Sequence, residues 1–364
     1  MQCFSLDSCV ELLCRLVSTP SVSGSENGTA DILSDALSKH GAKVNRLHNN
    51  IWVVSEGYDS AKPTLLLNSH HDTVKPAGGY TFDPYLGKVV DGKVLGLGSN
   101  DAGGSVVSLV AAFSRFSDTA KLPFNLILAI TAEEETMGPE GMRAMLAHFA
   151  EQGVKIDMAI VGEPTAMQAA IGERGLVVLD GVATGKSGHA ARNEGDNALY
   201  KAVEDIATLR NYRFENSSQV LGDIKISVTQ IAAGSQHNIV PDNCHFVVDV
   251  RTTDAYTNEQ TVALLQAAVC HSTLTARSTR VRASAISSDH PLVRAAVAVG
   301  CKTFISPTTS DRAIMQGIPA LKIGVGESSR SHTADEFVKI SEIESGIAIY
   351  QSLLEQLAKY ETLE

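Results

Sequence analysis

Short apolar runs that end in histidine or acidic residues are the feature that most constrains how this chain folds. Five runs and the polar residues after them can be paired: Thr64–Leu67 with His70-His71-Asp72, Val94–Gly98 with Asp101, Leu126–Ile130 with Glu133-Glu134-Glu135, Met158–Val161 with Glu163, and Leu321–Val325 with His332. Such runs are typical of strands buried in a parallel sheet. Because α/β sheets place their working sites beyond the carboxyl ends of the strands, we expect these polar residues to converge.

The chain alternates strand and helix patterns up to about Glu173, which indicates βαβ units and a mostly parallel sheet flanked by helices. The predicted helices are Leu6–Val17, Gly28–Lys39, Gly103–Phe113 and Gly138–Gln152, and further strands are Ile51–Val54, Phe124–Thr131 and Asp157–Val161. From about Pro291 the sequence returns to helix and buried strand, and it ends in an amphipathic helix over Ser341–Tyr360. The fold class is therefore α/β.

The middle of the chain has a different pattern, with partly alternating strands and fewer long apolar runs. The predicted elements are strands at Val177–Thr184, Asp223–Ile231, His245–Arg251 and Arg280–Ala283, and helices at Asn197–Arg210 and Asn258–Cys270. A β-α-β-β-α-β order is typical of a small, ferredoxin-like α+β domain. We therefore predict a catalytic domain made of 1–173 and 285–364, with a smaller domain, 174–284, inserted into it.

Composition excludes several classes of protein. The formal net charge of −11 argues against a nucleic-acid partner, and no apolar window reaches the roughly 18 residues of a membrane span. The N-terminus carries Asp7 and Glu11 and does not resemble a signal peptide. Six cysteines without C-x-x-C spacing favour reduced thiols, so we expect a cytoplasmic protein.

The residue types at the predicted strand ends fit a dinuclear metal site. Such a site combines imidazoles with carboxylates, one of which bridges two ions about 3.5–4 Å apart. His70 or its neighbour His71 could be the first imidazole, and one of Glu133, Glu134 and Glu135 would bind metal while a neighbour acts as base. Each residue also has an ordinary interpretation, such as a helix cap for Asp101. Their recurrence at five run ends favours the metal site.

The predicted strand ends belong to four motifs: Asn68-Ser69-His70-His71-Asp72-Thr73-Val74, Gly98-Ser99-Asn100-Asp101, Thr131-Ala132-Glu133-Glu134-Glu135 and Val161-Gly162-Glu163-Pro164-Thr165. These motifs resemble those of the dizinc acylase and exopeptidase family, which includes acetylornithine deacetylase, succinyl-diaminopimelate desuccinylase, aminoacylase and carboxypeptidase G. They occur in family order over essentially the whole chain, and the last resembles the deacetylase and desuccinylase branch. The resemblance implies a zinc-exopeptidase-like fold and an inserted domain that serves as lid and dimerisation domain.

The resemblance also implies roles for individual residues. In the metal centre, His70 and Glu163 hold one ion, Glu135 and His332 hold the other, Asp101 bridges, Asp72 supports His70, and Glu134 is the general base. The ions are two divalent metals, with zinc favoured over cobalt. Lys186-Ser187-Gly188-His189-Ala190 resembles the segment whose histidine, here His189, stabilises the oxyanion in the partner subunit's active site, which implies a homodimer. Arg251, Asn238 and Arg174 are candidates for binding a substrate carboxylate.

The expected activity is removal of an N-acyl group from a small-molecule amino acid. Acetylornithine, in arginine biosynthesis, is the first candidate, and a succinyl analogue or an N-acylcitrulline is close to it. Alternatives are a dinuclear zinc dipeptidase or aminopeptidase on the same scaffold, succinyl-diaminopimelate desuccinylase, and a non-catalytic metal-binding protein. None of the ligand or base positions is missing from the sequence, which argues against loss of catalysis.

Overall fold

A computed structural model describes residues 1–118, 120, 122–192 and 194–360. Its helices within these ranges are Leu6–Val17 (α1), Asn27–Lys39 (α2), Gly104–Arg115 (α3), Met142–Glu151 (α4), Ala198–Asn211 (α5), Asn258–Ala268 (α6), Pro291–Ala298 (α7) and Ile340–Leu357 (α8). Its strands are Val44–Leu47 (β1), Asn50–Val54 (β2), Thr64–His70 (β3), Lys88–Val90 (β4), Lys93–Leu95 (β5), Asn125–Thr131 (β6), Met158–Val161 (β7), Ala169–Glu173 (β8), Gly175–Thr184 (β9), Gly188–His189 (β10), Lys225–Ala233 (β11), Ile239–Val240 (β12), Asn243–Thr252 (β13), Ser272–Ala276 (β14), Ser284–Ala285 (β15), Thr303–Ser306 (β16), Ala320–Lys322 (β17) and Phe337–Lys339 (β18).

The chain forms two compact units. The first contains 1–171, 286–304 and 310–364, and the second contains 172–285 and 305–309. The sequence does not indicate that 305–309 belongs with the second unit. That the second unit serves as lid or dimerisation domain stays a prediction.

The first unit is built on a sheet with the strand order β1-β2-β6-β3-β7-β17-β8. Strands β6, β3, β7 and β17 run parallel, whereas β1 and β2 are antiparallel to their neighbours. Leu65 and Leu67 of β3 belong to one apolar core and Leu66 to the core on the opposite face. Burial on both faces explains why these strands read as continuous apolar runs, and it confirms the predicted α/β class.

The second unit has a four-stranded antiparallel sheet with the order β11-β13-β9-β14. Its elements follow one another as β9, α5, β11, β13, α6 and β14, which confirms the predicted β-α-β-β-α-β order. The predicted strand Arg280–Ala283 is wrong. Val281 makes only an isolated bridge to Leu176, while Ser272–Ala276 pairs along β9 because its alternating Ser, Thr and Leu side chains suit a half-buried strand.

One apolar run lies outside the parallel sheet. Residues of the run Val94–Gly98 form β5, which pairs with β4 and β18 in a small antiparallel sheet. The sequence pattern therefore assigned this strand to the wrong sheet, and β1 is a further strand that it did not predict. Among the described residues, no helix combines the length and apolar character that crossing a bilayer requires.

Candidate metal centre

The parallel sheet places three of the predicted clusters side by side. Strands β6, β3 and β7 are adjacent, and they are followed by Glu133–Glu135, His71–Asp72 and Glu163 respectively. His70 is the last residue of β3 and is buried. Its Nδ1 lies 3.0 Å from the backbone oxygen of Asp72, and its Nε2 lies 3.7 Å from Oε1 of Glu163. His70 therefore presents Nε2 toward the carboxylates.

Asp101 lies between two imidazoles. Its Oδ1 is 3.3 Å from Nε2 of His70, and its Oδ2 is 3.6 Å from Nε2 of His332. Asp101 reaches this position from a tight turn over Ser99–Gly103 that precedes α3, and Gly98 before the turn has a φ of 80°. A carboxylate whose two oxygens face different imidazoles has the geometry of a bridging ligand.

His332 and Glu135 contact each other near Oδ2 of Asp101. Nε2 of His332 lies 3.0 Å from both oxygens of Glu135. This hydrogen bond raises the pKa of His332 to about 9. The two residues are 197 positions apart in the chain, and His332 has a left-handed φ of 58° in a loop after β17.

The pKa values of Glu134 and Glu163 both lie above the ordinary range of a glutamate. Desolvation, followed by repulsion from Glu163, raises the pKa of Glu134 well above its ordinary value. Desolvation likewise raises the pKa of Glu163 to about 8. Burial opposes protonation of His70, but its contacts with Asp101 and Asp72 outweigh that effect and raise the pKa of His70. The site thus contains more acidic side chains than the two imidazoles of His70 and His332 can neutralise.

This donor set fits divalent cations. His70, Asp101 and Glu135 offer ligand atoms within 4.8 Å of one another, and so do His70, Glu134 and Glu163. Oε1 of Glu163 is buried and has no hydrogen-bond partner. Buried carboxylates normally have hydrogen-bond, cationic or metal partners, so this oxygen points to a missing positive group. Mixed imidazole and carboxylate ligands accept zinc and several other divalent ions.

Asp72 connects His70 with the loop that carries two of the glutamates. Its Oδ1 lies 3.3 Å from Nδ1 of His70 and accepts a hydrogen bond from the backbone N–H of Glu134 at 3.1 Å. Its Oδ2 accepts from the N–H of Glu135 at 3.1 Å and from Ser23 Oγ at 2.6 Å. Burial opposes ionisation, but the contacts with His70 and Ser23 outweigh it and lower the pKa of Asp72. One carboxylate therefore orients an imidazole and the glutamate loop together.

Two neighbours of the cluster have other partners. Nδ1 of His71 lies 2.8 Å from Oγ1 of Thr29, and its Nε2 lies 2.9 Å from the backbone oxygen of Asn49. The structure thus brings His70 rather than His71 to the carboxylates. Oε2 of Glu133 accepts from the N–H of Glu140 at 2.9 Å, so this side chain closes the loop it belongs to.

The four remaining candidates lie in the second unit. His189 is exposed on β10, its Nδ1 accepts from the N–H of Ala191 at 3.1 Å, and Asn238 accepts from the N–H of Ala190 through its backbone oxygen. Arg251 donates to both oxygens of Asp249, at 2.8 and 3.1 Å. Arg174 donates to the backbone oxygens of Asp223 and Leu221. Both arginines thus have partners within the unit, which weakens their assignment to a substrate carboxylate.

Two buried acids near the cluster were not predicted from the sequence. Glu26 accepts from the N–H groups of Gly24 and Glu133, and Glu336 accepts from those of Asn100 and Asp101. Neither follows an apolar run, so periodicity gives no signal for them. The position of Glu336 four residues after His332 is the only local pointer that the sequence offers.

Comparison with known proteins gives a consistent picture. Peptidase family M20/M25/M40 matches residues 66–356. The chain is 27% identical over 377 residues to a succinyl-diaminopimelate desuccinylase of Xanthomonas campestris pv. campestris strain 8004, covering 96% of this chain and 98% of that protein. It is 26% identical over 373 residues to a protein of the same name from Wolbachia pipientis wMel, covering 95% and 92%.

Solved structures share the fold. An aminopeptidase PepT from Bacillus cereus ATCC 10987 matches with a TM-score of 0.75 and 18% identity, over 98% of this chain and 99% of that one. The YXEP protein of Bacillus subtilis, described as a dinuclear metal-binding peptidase, matches with a TM-score of 0.69 and 15% identity, over 98% and 99%.

Proposed function

The chain belongs to peptidase family M20/M25/M40, whose members are metal-dependent hydrolases, and we propose that it removes the N-acyl group from an N-acyl amino acid. The observation that carries this proposal is the position of Asp101 between His70 and His332, with Nε2 atoms 3.3 and 3.6 Å from its two oxygens. Glu135 and Glu163 stand on opposite sides of this arrangement, against His332 and His70 respectively.

The ligand assignment follows from these contacts. His70 and Glu163 would hold one ion, Glu135 and His332 would hold the other, and Asp101 would bridge. When bound, the two ions supply polarisation of the acyl carbonyl and lower the pKa of a water molecule. Zinc is our first choice of metal, and cobalt is compatible with the same ligands.

Glu134 is the proposed general base. Its carboxylate takes a proton from the attacking water and passes it to the nitrogen of the leaving amine. Its proximity to His70 and Glu163 also leaves a ligand role open on geometry alone. We favour the base because Glu135, the adjacent residue, makes the contact with His332 and so completes the second ligand pair.

The proposed substrate class is supported by a sequence motif and by the names of the curated relatives. The Val161–Thr165 motif resembles the deacetylase and desuccinylase branch, and the curated relatives carry the name succinyl-diaminopimelate desuccinylase. We propose an N-acetyl or N-succinyl amino acid. N-acetylornithine and N-acylcitrulline are candidates within that class, and the relatives' names support N-succinyl-diaminopimelate, which is one of the alternatives expected from the sequence.

A competition assay tests the class and the acyl group together. Purified protein with bound metal is offered N-acetyl and N-succinyl derivatives of ornithine, citrulline, lysine and diaminopimelate, alongside dipeptides of the same amino acids. We expect kcat/KM for at least one acyl amino acid to exceed that for every dipeptide. Preference for dipeptides would replace the proposal with a dipeptidase or aminopeptidase.

We further propose that the protein is a homodimer in which His189 stabilises the oxyanion of the partner subunit. The exposed position of His189 on β10 is compatible with reaching another molecule. Strand β11 is at the edge of its sheet, and Ile231 on it is 48% exposed. Edge strands pair readily with other chains, which makes β11 a candidate for the subunit contact.

A further inference from the structure

Glu336 is a buried carboxylate that contacts the backbone of the proposed bridging ligand. Its Oε1 accepts hydrogen bonds from the N–H of Asn100 at 2.9 Å and from the N–H of Asp101 at 3.0 Å. The residue is 1% exposed and lies four positions after His332. Asp72 makes the same kind of contact, because it accepts hydrogen bonds from the consecutive N–H groups of Glu134 and Glu135. Each of these two buried acids therefore binds the backbone of a loop that carries a proposed metal ligand.

The side chain of Asn100 contacts the backbone of Glu327 in the loop before His332. Its Oδ1 accepts from the N–H of Glu327 at 2.9 Å, and its Nδ2 donates to the backbone oxygen of Glu327 at 3.1 Å. Gly326 lies against the same side chain, since a Cβ at that position would come 2.3 Å from Oδ1 of Asn100. Asn100 and Glu336 therefore join the turn that carries Asp101 to the loop that carries His332. We call these contacts the Asn100–Glu336 latch.

Burying the carboxyl group of Glu336 is unfavourable for the stability of the fold. Its Oε2 is buried and has no hydrogen-bond partner. A buried, incompletely satisfied carboxyl group destabilises the fold. A role in fixing the backbone of Asp101, through the two N–H contacts, would explain why Glu336 is buried there.

We propose that the Asn100–Glu336 latch positions the metal centre by fixing the Asp101 carboxylate relative to His332. Glu336 is a positioning residue, because it acts through the backbone of Asp101. The inference depends on the metal centre of the proposed function, in which Asp101 bridges and His332 binds one ion.

Two substitutions separate geometry from charge. Glu336→Gln keeps an oxygen that can accept both N–H groups and removes the charge, whereas Glu336→Asp keeps the charge and withdraws the carboxylate by one methylene. Each full-length holoenzyme, loaded with Co²⁺, is titrated with a competing chelator while its visible absorption spectrum is recorded. We expect Glu336→Asp to lower Co²⁺ affinity about 10–100-fold and to change the spectrum, as loss of a ligand's supporting contact does. Glu336→Gln should stay within about threefold of the parent protein by the same reasoning.

Asp205 supplies a matched control in the second unit. This buried acid accepts from the consecutive N–H groups of Cys270 and His271, at 2.8 and 3.0 Å. Asp205→Ala should lower the thermal unfolding temperature and leave the Co²⁺ affinity and spectrum unchanged. An equal loss of Co²⁺ affinity in Asp205→Ala would mean that general destabilisation, and not positioning, explains the Glu336 result.

Three further outcomes decide the proposal. Parent-like affinity and spectrum in Glu336→Asp overturn it. A Glu336→Gln protein as weak as Glu336→Asp also overturns it, since an acceptor oxygen at the right distance would then not preserve the site. If Glu336→Asp does not fold, Asn100→Ala tests the other half of the latch, with weakened Co²⁺ binding expected and parent-like binding contradicting us. Failure of the parent protein to bind two ions would instead contradict the proposed metal centre itself.

Discussion

Glu134 and Glu135 are neighbours in the chain, yet their carboxylates have different surroundings. Glu135 contacts His332, whereas Glu134 is desolvated near Glu163. Asp72 accepts hydrogen bonds from the backbone N–H groups of both residues. These bonds fix the loop, while the two side chains point to different neighbours. A single acid thus allows consecutive residues to take the two roles that we propose for them, Glu135 as ligand and Glu134 as base.

Glu134→Gln tests this division of roles. We expect kcat to fall by about 10²–10⁴-fold because the amide cannot accept the proton of the attacking water. Metal content, measured by elemental analysis, should remain at two ions per chain. Steady-state kinetics on the best substrate of the panel provides the rate.

Glu133→Gln is the matched control for Glu134→Gln. Its side-chain oxygen contacts the N–H of Glu140, and glutamine retains such an acceptor, so turnover should stay close to that of the parent protein. Loss of one metal ion from Glu134→Gln would show that Glu134 is a ligand and would remove it from the role of base.

At the scale of elements, part of the site could be predicted because of the sheet. Strands β6, β3 and β7 are adjacent and parallel, so Glu134, His70 and Glu163 come to one edge from their position after apolar runs alone. Asp101 follows β5, which belongs to the small antiparallel sheet, and His332 follows β17 of the parallel sheet only after a long loop. Their positions depend on turns with left-handed residues, Gly98 and His332, which periodicity does not describe.

The partners of the candidate substrate residues could not be predicted from the sequence for a different reason. Arg251 and Arg174 are in the segments that the sequence indicates, but their guanidinium groups contact Asp249 and backbone oxygens. The partner of a long, flexible side chain depends on which acceptors lie within reach in the folded chain. A sequence pattern specifies the position of the arginine and not its partner.

Helix α7 has a cap whose strength should depend on pH. Nδ1 of His290 accepts a hydrogen bond from the N–H of Leu292 at 3.2 Å, directly before Pro291 starts the helix. Burial lowers the pKa of His290 below the ordinary 6.5. Because the unfolded chain takes up the proton first, this contribution to stability is present above pH 6.5 and is lost as pH falls through the lower folded value.

His290→Asn should remove this dependence, since asparagine caps helices without titrating in this range. Between pH 7 and pH 5, the free energy of unfolding of the parent protein should fall relative to that of the variant by about 0.5–2 kcal/mol, the usual range for a cap. Denaturant unfolding at each pH measures the difference. His237→Asn, at an exposed position, is the control, and parallel curves for His290→Asn and the parent protein would contradict the prediction.

At the scale of the whole molecule, the exposed surface of the second unit bears on assembly. Strand β11 is the edge strand of its sheet among the described residues, and Tyr200 and Val203 on α5 are 68% and 50% exposed. We expect Ile231→Lys on β11 to yield a monomer by analytical ultracentrifugation, because a lysine at an edge opposes strand pairing. Turnover should fall about 10²-fold, as expected for loss of one oxyanion donor, while both metal ions remain bound.

Val297→Lys provides the control for surface charge. Val297 lies on α7 of the first unit and is 52% exposed, so the substitution adds the same charge at similar exposure. This variant should stay dimeric and active. A monomeric Ile231→Lys protein with parent-like turnover would separate assembly from catalysis and exclude a role for His189 in the partner's site.

Complementation between two inactive proteins tests His189 directly. His189→Ala and Glu134→Gln are each nearly inactive on our proposals, and their mixed dimer contains one site that combines Glu134 of one subunit with His189 of the other. Random exchange makes half of the dimers mixed, and one of their two sites is intact, so about a quarter of the parent activity should return after co-refolding. If His189 acts within its own subunit, every site in the mixture lacks one of the two residues, and no activity returns.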